Sequence, residues 1–319
     1  MKKGILSAVA FILALTAFSA YLLLDTFVIA RDGDAIVSMG DLTFPTRETS
    51  GNEPSGTSGE ATLPDGWEEN FTDEAVWTDD SYTDKNISVK ITEYRRHDTT
   101  IYVADVRLSS VEYLKTALAK GKYGSNIKQK TSEMAKNNDA IIAINGDYYG
   151  ARRAGFVIRQ GVLYRESAAD EREALSIFVD GSFSVVDEES SSARELLAAG
   201  AYNVLSFGPS LIVDGKVTVG ERDEVDQSMA NNPRTAIAYV EPLHYLLVVS
   251  DGRTSESKGL KLYQMADFLR ELGATVAYNL DGGGSSTMYF GGKVINNPTT
   301  NGKKISEREV SDIVYVGYR

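Results

Sequence analysis

Residues 260–290 read LKLYQMADFLRELGATVAYNLDGGGSSTMYF. Leu262, Met265, Ala266, Leu269 and Leu272 recur at the spacing of one helix face, which predicts a helix over Leu260–Leu272 that buries one side. Gly273 sits where a glycine ends a helix. Val276–Leu280 is then a short apolar run, the pattern of a buried strand. It breaks at once into Asp281-Gly282-Gly283-Gly284-Ser285-Ser286, and Met288–Phe290 reads as the strand that follows. A helix, a buried strand, a polar glycine loop and a second strand therefore follow one another in this stretch.

Working outward, strands dominate. Ile87–Tyr94 alternates apolar and polar residues, and Ile101–Leu108 follows it. Val111–Leu118 is expected to be a short helix. Ala140–Ile144 is a continuous apolar run ending at Asn145-Gly146. Hairpins are expected over Phe156–Tyr164, Leu175–Val186 and Leu211–Val219, turning at Gln160-Gly161, Asp180-Gly181 and Asp214-Gly215. Such pairs supply the positive φ angles of tight turns. Arg234–Val240 and Tyr245–Val249 form another pair, and Lys293–Ile295 and Ile313–Tyr318 complete the set. Many strands with few helices predict an α+β fold with a mixed, mostly antiparallel sheet.

The N-terminal part is different. Lys2 and Lys3 precede an apolar run from Gly4 to Leu24, long enough for the ~20 residues of a membrane span. The basic end is expected to stay inside. Residues 1–31 are thus expected to be a transmembrane signal anchor at the cell membrane, with the rest of the chain extracellular. The alternative is secretion after cleavage, for which Val28 and Ala30 are suitably small. Residues 32–86 carry 14 acids against Arg47 and Lys85 and include the Ser/Gly/Pro-rich stretch TSGNEPSGTSG at 49–59, so they are expected to be an acidic flexible spacer. The overall net charge of −12 belongs largely to this spacer and argues against nucleic-acid partners. Residues 87–319 are expected to form the folded domain. The chain has no cysteine and only His97 and His244. Disulfides, a thiol nucleophile and a histidine-rich metal site are therefore excluded, and acid–base chemistry falls to carboxylates.

Four segments place polar groups at strand ends: Asn145-Gly146-Asp147-Tyr148-Tyr149, Asn232-Pro233-Arg234-Thr235-Ala236, Ser250-Asp251-Gly252-Arg253 and Asn279–Ser286. Rigid scaffolds present functional groups from such loops. In this order, and with Gly208-Pro209 between the first and second, they resemble the phosphodiester glycosidase family over roughly residues 87–319. Lys261 departs from the small hydroxyl residue expected at the helix start, which weakens a cap and leaves the chemistry untouched. The resemblance implies hydrolysis of a sugar-1-phosphodiester, N-acetylglucosamine-1-phosphodiester in the best-known case.

Each residue has a plain reading beside the functional one. Asp281 either fixes its loop as an Asx-turn or acts on the substrate. Asp147 and Asp251 are either structural or further catalytic carboxylates, and a converging set of such carboxylates could also hold a divalent cation. Arg234 is either a structural ion pair or a bidentate phosphate ligand. Asn145 and Gly146 either make a turn or meet sugar hydroxyls, and Thr235 lies beside Arg234. Tyr148 and Tyr149 either pack in the core or stack on a sugar. Gly282, Gly283 and Gly284 either make a tight turn or bring backbone close to the ligand's oxygens, with Ser285 and Ser286 beside them. No Lys follows this loop, which removes a nucleotide phosphate loop, and no G-x-S-x-G elbow exists for a serine hydrolase. The expected substrate is a sugar phosphodiester or a cell-wall glycan, in cell-envelope or exopolysaccharide metabolism. The rivals are a phosphodiesterase that cleaves P–O and a noncatalytic glycan-binding module.

Overall fold

The protein, a computed structural model, is described for residues 2–40, 42–44, 70–225 and 231–319. The expected linker at 49–59 lies outside the described residues. Helix α1 spans Lys2–Phe27, with side chains described from Phe11 to Asp25. Among the described residues no helix is long and apolar enough to cross a membrane, so the transmembrane expectation draws no support here.

The fold is α+β, built on sheets of nine, six and five strands whose described pairings are antiparallel. In the nine-stranded sheet, Arg234–Glu241 lies between His244–Ser250 and Val276–Leu280. Thr99–Leu108 and Ile87–Arg96 extend it on one side. The five-stranded sheet centres on Ile142–Asn145, between Met288–Phe290 and Asp312–Val316. The main core takes Ile87 and Val106 from the nine-stranded sheet, Ile142 and Val316 from the five-stranded one, and Leu175 and Leu205 from the six-stranded one.

Helix α4, Leu262–Glu271, covers the other face of the nine-stranded sheet. Leu262, Met265 and Leu269 pack there against Ala236, Ala238 and Ala277. The small alanines let the helix lie close. Ile237, between the two, points into the main core, as a side-chain period of two requires. Lys261 cannot cap with an oxygen, and Gln264 does so instead: its Oε1 accepts the Lys261 N–H at 2.9 Å.

Three expectations change. Val111–Leu118 is not a helix: a single 3-10 turn at Val111–Tyr113 leads into strand Leu114–Leu118, which pairs with Asp312–Val316. The sequence shows no sign of two short helices, α2 at Thr131–Asn137 and α3 at Ala193–Ala198. The spacer also ends earlier than residue 86. Val76–Trp77 and Ser81–Thr83 are the outer strands of the nine-stranded sheet, and Tyr82 is buried. Asp84 fixes the junction by accepting the Asn86 and Ile87 N–H groups, each at 2.8 Å.

Candidate active site at the strand ends

The antiparallel register brings the motifs to one edge. Arg234 pairs with Ser250, and Thr235 with Leu280. The start of one strand thus meets the ends of two others, and Asn145 ends the strand of the neighbouring sheet. Asn145 ties them together. Its Oδ1 accepts from Thr235 Oγ1 at 2.8 Å and from the Thr287 N–H at 3.2 Å, while its Nδ2 donates to the Asp281 carbonyl at 2.6 Å. Asn145 and Thr235 are fully buried, so both position the loops rather than offer themselves to a ligand.

The glycine loop carries the unusual features. Gly283 has φ +63° and donates its N–H to the Pro233 carbonyl at 2.8 Å. The N–H groups of Ser285 and Ser286 close the turn onto Gly282 and Gly283. The amides of Gly283, Ser285 and Ser286 are therefore taken, and these three of the loop expected to cradle phosphate offer no donor to a ligand. Side chains fill that place instead. A Cβ on Gly283 would lie 2.9 Å from Arg253 Nη2, and one on Gly284 2.9 Å from Arg308 Nη2. Two guanidinium groups thus press on adjacent glycines. Arg253 is held by Asn232 Oδ1, at 2.9 Å from Nη2, and by the Thr300 carbonyl, at 2.5 Å from Nη1. Among the described residues no carboxylate pairs with either arginine, and burial, together with the nearby Arg308, lowers the Arg253 pKa.

Asp281 lies beside them. Burial pushes its pKa up, against the pull of Ser285, Arg308 and Arg152. Its Oδ2 is buried without a hydrogen-bond partner among the described residues, and so are the hydroxyls of Ser285, Ser286 and Thr287. Ser285 is near enough to stabilise the carboxylate without reaching hydrogen-bond geometry. Each such orphaned group costs about 1–3 kcal/mol unless something polar meets it. Arg152 connects this corner to a cavity of about 690 Å3 that it lines with Arg172, Phe207, Gly208 and Pro209. Its guanidinium lies 4.6 Å from the Phe207 ring centroid.

Other expected site residues are engaged elsewhere. Asp147 is buried in a triad: its Oδ1 lies 2.9 Å from Arg159 Nη2, which is also 2.8 Å from Asp312 Oδ2. Asp147 Oδ2 accepts the Ser206 N–H at 2.7 Å. With both oxygens occupied, it is not available as a base or nucleophile. Gly146 is a glycine because a Cβ there would collide with the Asp312 carboxylate. Asp251 accepts from the Asn297 N–H at 2.8 Å and from Asn297 Nδ2 at 2.9 Å, and so pins a loop. Tyr149 is 1% exposed and stacks on Tyr123 with ring centroids 5.3 Å apart, so it packs the core and cannot reach a sugar. Arg234 pairs with Glu224 and donates to the Leu260 carbonyl at 2.9 Å. It faces helix α4 because its neighbour Thr235 faces Asn145, and adjacent strand residues point to opposite faces. Among the described residues no three carboxylate or imidazole groups gather to hold a metal ion; Asp147, Asp251 and Asp281 each have separate surroundings.

The family model for phosphodiester glycosidases matches residues 138–317, more than half of the chain. The chain belongs to the phosphodiester glycosidase family. Its Asn145, Asp147, Arg234, Asp251 and Asp281 motifs all fall within the match. A Bacillus subtilis relative, the SPbeta prophage-derived uncharacterized protein YomE, is 30% identical over 201 residues, which cover 61% of this chain and 31% of that one. Human N-acetylglucosamine-1-phosphodiester alpha-N-acetylglucosaminidase is 26% identical over 183 residues, covering 52% of this chain and 35% of that protein. The chain thus spans about a third of the length of these curated relatives. The catalytic domain of the zebrafish enzyme, auto-inhibited by its pro-peptide, superimposes with a TM-score of 0.56 at 20% identity, over 73% of this chain and 83% of that one. A hypothetical protein from Synechocystis does so with a TM-score of 0.55 at 16% identity, over 73% and 62%. At these identities the two structures speak to the fold.

Proposed function

We propose that the phosphodiester glycosidase domain hydrolyses a sugar-1-phosphodiester at the glycosidic C–O bond, with Asp281 acting at the sugar and Arg253 and Arg308 on the phosphate. The observation that carries this is the pair of guanidinium groups without a carboxylate partner among the described residues, set on Gly283 and Gly284 beside Asp281, whose Oδ2 is buried. Two neighbouring cations repel unless an anion joins them, and a phosphodiester offers oxygens that match a guanidinium's fork. Water attacks C1, the C1–O bond breaks, and the phosphate monoester departs with the bonding pair. Asp281 takes the proton that the attacking water loses. The leaving phosphate is a weak base, so what it needs is charge stabilisation rather than a strong acid. N-acetylglucosamine-1-phosphodiester is the substrate class suggested by the names of the relatives. An envelope or exopolysaccharide setting fits an exported domain. Export rests on Lys2 and Lys3 before the apolar run 4–24, whether that segment stays as a single-pass anchor or is cleaved.

The test is hydrolysis of UDP-N-acetylglucosamine and of an alkyl N-acetylglucosamine-1-phosphodiester in heavy-oxygen water. Label in the sugar is expected. Label in the phosphate would assign the chain to P–O cleavage, and binding of either compound without turnover would leave a glycan-binding module.

A further inference from the structure

We infer that the domain carries a second, noncatalytic binding site for an anionic glycan, in a cavity of about 470 Å3 beside strand Leu114–Leu118. This volume is that of a small-molecule site, which usually spans ~300–1,000 Å3. No aspartate or glutamate lines it, in a chain whose net charge is −12. Three cations do: Lys115, Arg159 and Arg319. Arg159 spends its charge on Asp147 and Asp312, and Arg319 pairs with Asp139 at the surface, 3.1 Å away. Lys115 has no ion pair or side-chain hydrogen bond among the described residues. Its burial disfavours the charged form, and the attraction of Glu112 only partly counters this. An anion entering the cavity would relieve that cost. The remaining polar lining is rich in amides, including Asn138 and Gln160. Amides both donate and accept, as sugar hydroxyls require. Tyr164 adds an aromatic surface, with its ring stacked 4.8 Å from that of Tyr123.

Neither Asp281 nor the 282–286 loop lines this cavity. Arg159, which lines it, nevertheless holds Asp147, and Asp147 accepts the Tyr149 N–H in the separate 145–149 segment. The cavity thus shares no lining residue with the reactive edge and is suited to hold a charged stretch of polymer. The shared ligand chemistry is a sugar or polyol chain bearing carboxylate or phosphate.

The experiment is calorimetric titration of the full chain with tetragalacturonate, with a glycerol-phosphate tetramer, and with neutral chitotetraose. At least one anionic oligomer should bind at least 10-fold tighter than chitotetraose, and the better of the two identifies the charged group. Lys115→Gln should weaken that binding about 10-fold or more, and Lys115→Arg should restore most of it. Each variant should keep the parent's melting temperature and its turnover of a small soluble substrate. Equal affinity for chitotetraose, no binding of either anionic oligomer at millimolar concentration, or indifference to Lys115→Gln would each overturn the inference. Because the readout is binding, a failure here leaves the hydrolytic reading untouched, and the reverse holds too.

Discussion

At the scale of single residues, Asp281 is the side chain whose surroundings fit chemistry. Burial raises its pKa, so its proton is held above the ordinary carboxylate range. If it accepts a proton from water, activity should rise with pH through that raised value, placing the acid limb of the kcat/KM profile above the range of a free aspartate. Asp281→Asn should abolish this limb and lower kcat by about 10²-fold or more. The sign for stability is opposite. The folded state binds the extra proton, so stability falls as pH rises from the ordinary to the raised value. The Asn variant should lose that dependence and melt no lower than the parent at neutral pH. A variant that keeps turnover, or one whose melting temperature collapses, would return Asp281 to a turn residue. Asp281 was legible in the sequence because it opens a glycine run at a strand end. Arg308 was not, since it sits in no motif and reaches Gly284 only through the fold. Arg234 was misread for a reason of one residue: alternation turns Thr235 toward the site and Arg234 toward the helix.

At the scale of elements, the glycine loop works by leaving room. A methyl group on Gly284 would meet Thr300 Oγ1 and the end of the Arg308 side chain. Arg308 is half-buried and flexible enough to yield, so Gly284→Ala should spare the fold and displace the cation. The expected result is a melting temperature close to that of the parent, with kcat/KM lower by about 10-fold or more. Unchanged activity would mean that Arg308 has no part in binding. The long strands and helix α4 were readable because each keeps its period over many residues. Val111–Leu118 was not, because eight residues holding a turn and a five-residue strand give neither period time to repeat. The helices at Thr131–Asn137 and Ala193–Ala198 are too short to show a face.

At the scale of the whole molecule, the domain begins before its motifs do. A chain cut to residues 87–319 loses Val76–Trp77 and Ser81–Thr83, which cover the edge of Ile87–Arg96. It also loses Tyr82 and Asp84, whose side chains are 5% and 6% exposed in relative terms. That form should melt lower than one starting at residue 70 and should aggregate through its bare edge. Equal melting temperatures and equal solubility would show the two strands to be dispensable. The acidic composition that runs across both linker and sheet hides this boundary, since β-strands at an edge need little apolar sequence.

Asn145-Gly146 also bears on how long the molecule lasts. In a loose chain this dipeptide is prone to deamidation, because the glycine nitrogen can swing onto the asparagine amide and close a ring. Here the Gly146 nitrogen is committed to the Asp312 carbonyl at 2.9 Å, and the Asn145 amide is held by Thr235, Thr287 and Asp281. The bonds that gather the strand ends thus also slow chemical ageing at that spot. An aspartate formed there would put a charge where Thr235 and Thr287 now find a neutral acceptor. A molecule that stays folded keeps its clock stopped, and one that opens starts it.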